Sequence, residues 1–161
     1  MKKGILFAVA AAAALVIACN QPAATAGGDK GGDAGAQPTN VDSSMAQIAW
    51  IKEDYAGALQ QAEADGKLLM IDVYTEWCGP CKLLDKDTFP KQEVVDKSAN
   101  FVTLKLDAEK GQGPDVAKKY GITGFPTILF VNGKGELVHT VIGFQDAPTL
   151  VTEMDKALDK A

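Results

Sequence analysis

The stretch Leu68-Leu69-Met70-Ile71-Asp72-Val73-Tyr74 leads through Thr75-Glu76 into Trp77-Cys78-Gly79-Pro80-Cys81. A run that is nearly all apolar predicts a central strand covered on both faces. Two cysteines three apart, just past that strand and opening a helix, make a dithiol that can close and reopen. At the helix N-terminus, free N–H groups and the macrodipole favour the thiolate of the first cysteine. The thiolate is the species that attacks disulfides, so the pattern points to thiol–disulfide exchange.

Outward from this core the chain alternates strands and helices. Residues 48–52 read as a short first strand carrying Trp50, and 53–64 as an amphipathic helix ended by Asp65-Gly66-Lys67. The helix opening near Cys78 runs through Lys82-Leu83-Leu84 and kinks or ends before Pro90. Residues 92–98 read as weakly helical, 101–106 as a strand, and 114–120 as a helical turn or two with Gly121 as C-cap. A strand over 126–131 meets the turn Asn132-Gly133-Lys134-Gly135 and an antiparallel partner over 136–142. Leu150, Val151, Met154 and Leu158 place a closing helix over 148–158. This order predicts an α/β fold, a mixed sheet with helices on both faces.

The N-terminus reads differently. Lys2 and Lys3 precede an uninterrupted apolar and small-residue run from Ile5 to Ala18. A membrane span needs roughly 20 residues, so this shorter run fits the h-region of a secretory signal peptide over 1–18. Leu15-Val16-Ile17-Ala18-Cys19 resembles a bacterial lipobox, with Cys19 as the lipidated first mature residue. The alternative is a plain signal peptide followed by a chance cysteine. Several acyl chains together anchor stably, where one holds only marginally. Residues 19–44, rich in Gly, Ala, Pro, Asp and Thr, predict a flexible tether with an r.m.s. span of ~25–30 Å. The folded domain is then 45–161, long enough for one compact core.

The chain carries 16 basic side chains, all lysine, against 21 acidic ones, for a net charge of −5. Nucleic-acid binders need basic patches and usually arginine, so no nucleic-acid partner is expected. Of the three cysteines, Cys19 is consumed if the lipobox holds, which leaves Cys78 and Cys81. A structural staple gains most by closing a long loop. A bridge across two residues gains little, so redox function explains the pair better. Structural zinc wants four ligands, and His139 and Cys19 are the only other His or Cys residues. No metal and no cofactor are expected.

The sequence resembles the thioredoxin family over roughly residues 66–160. Trp77-Cys78-Gly79-Pro80-Cys81-Lys82 matches the family's active-site motif, and Gly124-Phe125-Pro126-Thr127 is similar to its cis-proline loop. Asp72 stands where thioredoxins place a buried aspartate, Lys105 in the strand where they place a lysine near it, and Gly143 where a glycine closes the last hairpin against the site. Trp50, Gly66-Lys67 and Thr88-Phe89 resemble extracytoplasmic branches, in particular the C-terminal domain of the transmembrane thiol:disulfide interchange reductase. That domain usually carries a different dipeptide between its cysteines.

The resemblance implies a thioredoxin fold and a role for each site residue. Cys78 is the nucleophile, and Cys81, one turn on and more buried, resolves the mixed disulfide. Gly79 and Pro80 set the redox poise. With no histidine in the dipeptide, the pair is expected nearer thioredoxin's roughly −270 mV than the oxidising end at about −120 mV. Burial should raise the Asp72 pKa. Asp72 either relays the Cys81 proton through water or is merely paired with Lys105, and both can hold. Phe125 and Pro126 shape the face that docks an extended substrate. Trp77 shields the dithiol and offers an apolar contact, or is structural. His139 reads as a surface residue, and Trp50 and the aromatics of the early helix as core. The expected protein is a monomeric, lipid-anchored reductase of protein disulfides on the periplasmic side of a bacterial membrane. It would be re-reduced by a membrane-spanning electron relay. An oxidase or isomerase is the alternative within the class, and a dithiol chaperone holding copper(I) the alternative outside it.

Overall fold

The structure, a computed structural model, describes residues 47–161. The signal peptide, Cys19 and the tether expected from the sequence lie outside the described residues. Five strands form one sheet in the order β1-β3-β2-β4-β5. They are β1 (Ile51–Lys52), β2 (Leu68–Tyr74), β3 (Phe101–Asp107), β4 (Thr127–Val131) and β5 (Leu137–Ile142). The first three are parallel, and β4 and β5 complete the sheet antiparallel. The helices are α1 (Tyr55–Asp65), α2 (Gly79–Leu83), α3 (Gln92–Ser98), α4 (Gly113–Lys119) and α5 (Ala147–Leu158). The α/β mixed sheet read from the sequence is the one observed.

Alternation along the central strand sorts the core into two layers. Leu69, Ile71 and Val73 face α1 and α4, where Ala58, Ala62 and Val116 meet them. Leu68 and Met70 face the other way, against Leu84, Val94, Leu150 and Met154. Asp72 follows the parity of Met70, so its carboxyl enters the layer that also holds the dithiol helix.

Most element bounds differ from the sequence reading by a few residues, β1 most at its start, and two helix ends and one side chain differ for a local reason. Helix α1 starts at Tyr55 because Asp54 caps it, accepting the Gly57 N–H at 2.9 Å. Glu53 lies outside the helix with φ 59, and its N–H donates to the Lys105 carbonyl at 3.1 Å. Helix α2 does not simply stop before Pro90. It widens into a π turn over Leu84–Thr88, closed by the Phe89 N–H on the Leu84 carbonyl at 2.9 Å. The buried Thr88 hydroxyl then donates to the Gln145 carbonyl at 2.7 Å. His139 is not a free surface residue. Its strand is a sheet edge, but α5 covers that face, and the ring stacks on Phe130 and bonds Glu153.

Gly113 opens α4 against the backbone of the preceding loop, where a Cβ would stand 1.8 Å from the Asp107 carbonyl oxygen. Gly113→Ala is therefore expected to destabilise the domain by about 1–3 kcal/mol or more, read as a lowered urea midpoint at unchanged m-value.

Candidate active site

The end of β2 delivers the dithiol. The Cys78 N–H donates to the Thr75 carbonyl at 3.2 Å, and Cys78 then caps α2, its Sγ accepting the Cys81 N–H at 3.1 Å. Pro80 sits in the first turn, where its missing N–H costs nothing. Cys78 and Cys81 are joined as a disulfide, with their Cα atoms 5.3 Å apart. Cys81 is not the more buried of the two. Each is 3% exposed, because the bond holds both sulfurs under the same cover.

Trp77 is 66% exposed. Its indole N–H is shared between both carboxylate oxygens of Glu109 at 3.1 Å, and its ring meets Phe125 edge-on, centroids 6.0 Å apart. That contact brings the loop before β4 to the dithiol motif. The Phe125–Pro126 peptide is cis. The Pro126 carbonyl accepts the Gly143 N–H at 2.8 Å, and Thr127 pairs with Ile142. Ile142 and Phe144, 66% and 42% exposed, thereby flank the same loop. The sequence reading named Gly143 and missed both of its neighbours. An exposed apolar residue in an edge strand has no signature until the fold shows what it adjoins.

An ion cluster lies on β2 six residues before the dithiol. Asp72 and Lys105 are register partners across β2 and β3, and Lys105 Nζ lies 2.9 Å from Asp72 Oδ2. Asp72 is 1% exposed. Its Oδ1 is buried without a partner among the described residues. The same ammonium contacts Asp85 Oδ1, from the π turn. It also lies 5.0, 5.4 and 5.7 Å from the ring centroids of Tyr74, Phe89 and Trp50. Trp50, read as core, thus also borders the site. Burial pushes the Asp72 carboxyl above its ordinary range, Lys105 pulls it back, and Asp85 adds to the rise. Burial alone would lower Lys105, but the two carboxylates outweigh it and the net shift is upward. Asp85 was absent from the sequence reading. It follows Cys81 by four residues, the spacing that puts two side chains on one helix face, and that spacing was the available signal.

A reducible dithiol, an exposed apolar face and a buried acid in one place can carry out thiol–disulfide exchange. Among the described residues, no three His, Cys, Asp or Glu side chains gather so as to hold a metal ion.

A family model for a thioredoxin-like domain matches residues 55–158. The chain belongs to the thioredoxin-like family. The thiol:disulfide interchange protein DsbD of Vibrio cholerae is 36% identical over 107 residues, 63% of this chain but 18% of that protein. This chain spans under a quarter of the length of the curated relatives it matches. A candidate disulphide-isomerase from Bacteroides thetaiotaomicron, solved in solution, is 41% identical with a TM-score of 0.63, covering 71% of this chain and 96% of that one. The reduced C-terminal domain of Neisseria meningitidis DsbD shares the fold at 23% identity and a TM-score of 0.59, covering 66% and 99%. The thioredoxin fold expected from the motifs is therefore the fold of the chain, and the likeness to the DsbD C-terminal region holds.

The raised Asp72 pKa has a consequence for stability. A group that titrates higher in the folded state holds more protons there, so stability is fully present below the ordinary 3.8 and falls as pH climbs through the raised value. Asp72→Asn removes that loss. The variant is expected to match wild type near pH 3.5 and to melt at a higher temperature than wild type at pH 7, with calorimetry across pH as the check.

Proposed function

We propose that the chain is a thiol:disulfide oxidoreductase, held outside the cytoplasm by a lipid on Cys19, that mainly reduces disulfides of other proteins. The observation that carries this reading is the Cys78–Cys81 pair at the mouth of α2, beside the cis-proline loop and the exposed faces of Trp77, Ile142 and Phe144. Two concavities of about 450 and 460 Å³ lie elsewhere, and neither includes a residue of the dithiol motif. A flat apolar surface around a disulfide suits a protein segment rather than an enclosed small ligand.

In the reduced protein the Cys78 thiolate attacks one sulfur of a substrate disulfide. The S–S bond breaks, and one substrate sulfur leaves as a thiolate and takes a proton. The Cys81 thiol then gives its proton to the Asp72 carboxylate and attacks Cys78 Sγ. The mixed disulfide breaks, the second substrate sulfur leaves as a thiolate and takes that proton back from Asp72 through water, and the protein is left with the Cys78–Cys81 disulfide. Two electrons have passed to the substrate. Phe125 and the backbone before Pro126 hold the substrate segment, and Lys105 sets the charge beside Asp72.

A reductase in an oxidising compartment must be recharged. The relatives named as thiol:disulfide interchange proteins are far longer than this chain, and a membrane-spanning relay of that kind is the proposed electron donor. Among the described residues no helix is long and apolar enough to cross a membrane. The signal peptide over 1–18, the tether over 19–44 and a monomeric state complete the proposal. A second reading, disulfide isomerisation, is favoured by the Bacteroides thetaiotaomicron protein described as a candidate disulphide-isomerase.

Reduction potential separates the readings. A reductase is expected at or below about −250 mV, and an oxidase or isomerase above roughly −180 mV. In insulin reduction Cys78→Ala should fall to background. Cys81→Ala should instead accumulate a mixed disulfide with the substrate, seen as a protein adduct by mass spectrometry. Full turnover by Cys78→Ala would overturn the mechanism.

A further inference from the structure

We propose that Asp85 is a positioning residue of the dithiol site that acts through Lys105, sharing its ammonium so that Asp72 is not held solely as that cation's anion. This rests on the oxidoreductase reading above and deepens it, because it concerns how the buried acid of that chemistry is set.

The geometry that brings Asp85 there lies in the dithiol helix. Helix α2 is regular for Gly79–Leu83 and then widens into the π turn over Leu84–Thr88. Single π turns inside helices recur at functional sites. Here the turn carries Asp85 onto Lys105 Nζ, opposite Asp72 Oδ2. An ammonium has three donors. Two go to the carboxylates, and Tyr74, Phe89 and Trp50 enclose the head with their ring faces.

The groups facing Asp72 are few. β3 brings Lys105, and the π turn brings Asp85. β4 brings its register partner Ile128, which carries no charge. On its own strand Tyr74 lies beneath the Lys105 head and donates weakly toward Glu53, at 3.4 Å. Helix α2 offers Cys78 and Cys81, bonded to each other. With Lys105 as its sole neighbour, Asp72 would be pulled strongly toward the carboxylate. The second anion opposes that pull, both by sharing the ammonium and by direct repulsion. The side chain of Asp85 is 46% exposed against 2% for Asp72, so a residue in contact with water biases one that is sealed from it.

The test is a 13C NMR titration of the Asp72 carboxyl in the oxidised full chain, with the resonance assigned through Asp72→Asn. Asp85→Asn is expected to move the Asp72 midpoint to lower pH, and Asp85→Glu to leave it near wild type. In a Lys105→Met background, Asp85→Asn should move the midpoint less than about half as far, because the effect runs through Lys105. At neutral pH, release of substrate from the mixed disulfide should slow about 3- to 10-fold in Asp85→Asn. An unmoved Asp72 midpoint in Asp85→Asn, or an equal movement without Lys105, overturns the proposal. Wild-type protein that reduces no disulfide while its Asp72 midpoint still responds to Asp85→Asn would sink the oxidoreductase reading and leave the Asp85 coupling standing.

Discussion

A carboxylate in the centre of a sheet is expensive, and the position of Asp72 constrains everything around it. Taking an ion out of water costs several kcal/mol even after relaxation, and a buried pair repays this only in good geometry. Lys105 meets the condition because β2 and β3 pair in the register that sets Asp72 beside it. A slip of one residue would break the pair and turn Leu69, Ile71 and Val73 into the opposite layer. The apolar pattern and the ion pair therefore select the same register. That register fixes where β2 ends and where the cysteines emerge, and on its other edge it sets Asp72 opposite Ile128 in the strand that follows the cis-proline loop.

The pair also shows a tension between stability and chemistry. An apolar residue in place of Asp72 would suit the core better, and burial does raise its pKa despite the adjacent lysine. What the carboxyl offers is a proton acceptor sealed from solvent, with one oxygen on Lys105 and the other without a partner among the described residues. The chain retains a costly group where thiol–disulfide exchange would use a proton acceptor, as expected when local rules are broken at a functional site.

Legibility in the sequence followed the range of the interactions. The bounds of β2 and α3 could be read outright, because one is a continuous apolar run between turns and the other a short helix between a proline and a strand. The dithiol, Asp72, Lys105 and Pro126 were legible through motif and resemblance together. The π turn was not, because it depends on long-range contacts such as the bond from Thr88 to Gln145. Asp85 was overlooked for a related reason. A charged residue on a helix between two lysine-bearing turns reads as a solvated face, and the four-residue spacing from Cys81 gains its meaning once that helix packs on Lys105. His139 was misread because an edge strand in sequence says nothing about the helix that covers it.

The charges around the dithiol bear on the direction of electron flow. Strong oxidants of this kind stabilise their reduced form, so a site that fails to stabilise the thiolate tends to be reducing. Two lysines around the site are paired with carboxylates, while Lys82, which follows Cys81 directly, makes no salt bridge among the described residues. Lys105 is shared between Asp72 and Asp85, and Lys110 between Glu76 and Asp107. Glu109 meanwhile holds the indole of Trp77. Gly79 and Pro80 add no charge and no hydrogen-bonding side chain. What remains to favour a thiolate is Lys82 and the helix end itself, and α2 is only five residues long before it widens. Lys105 and Lys110 are thus matched by carboxylates, which leaves the helix end and Lys82 to set how well the Cys78 thiolate is held.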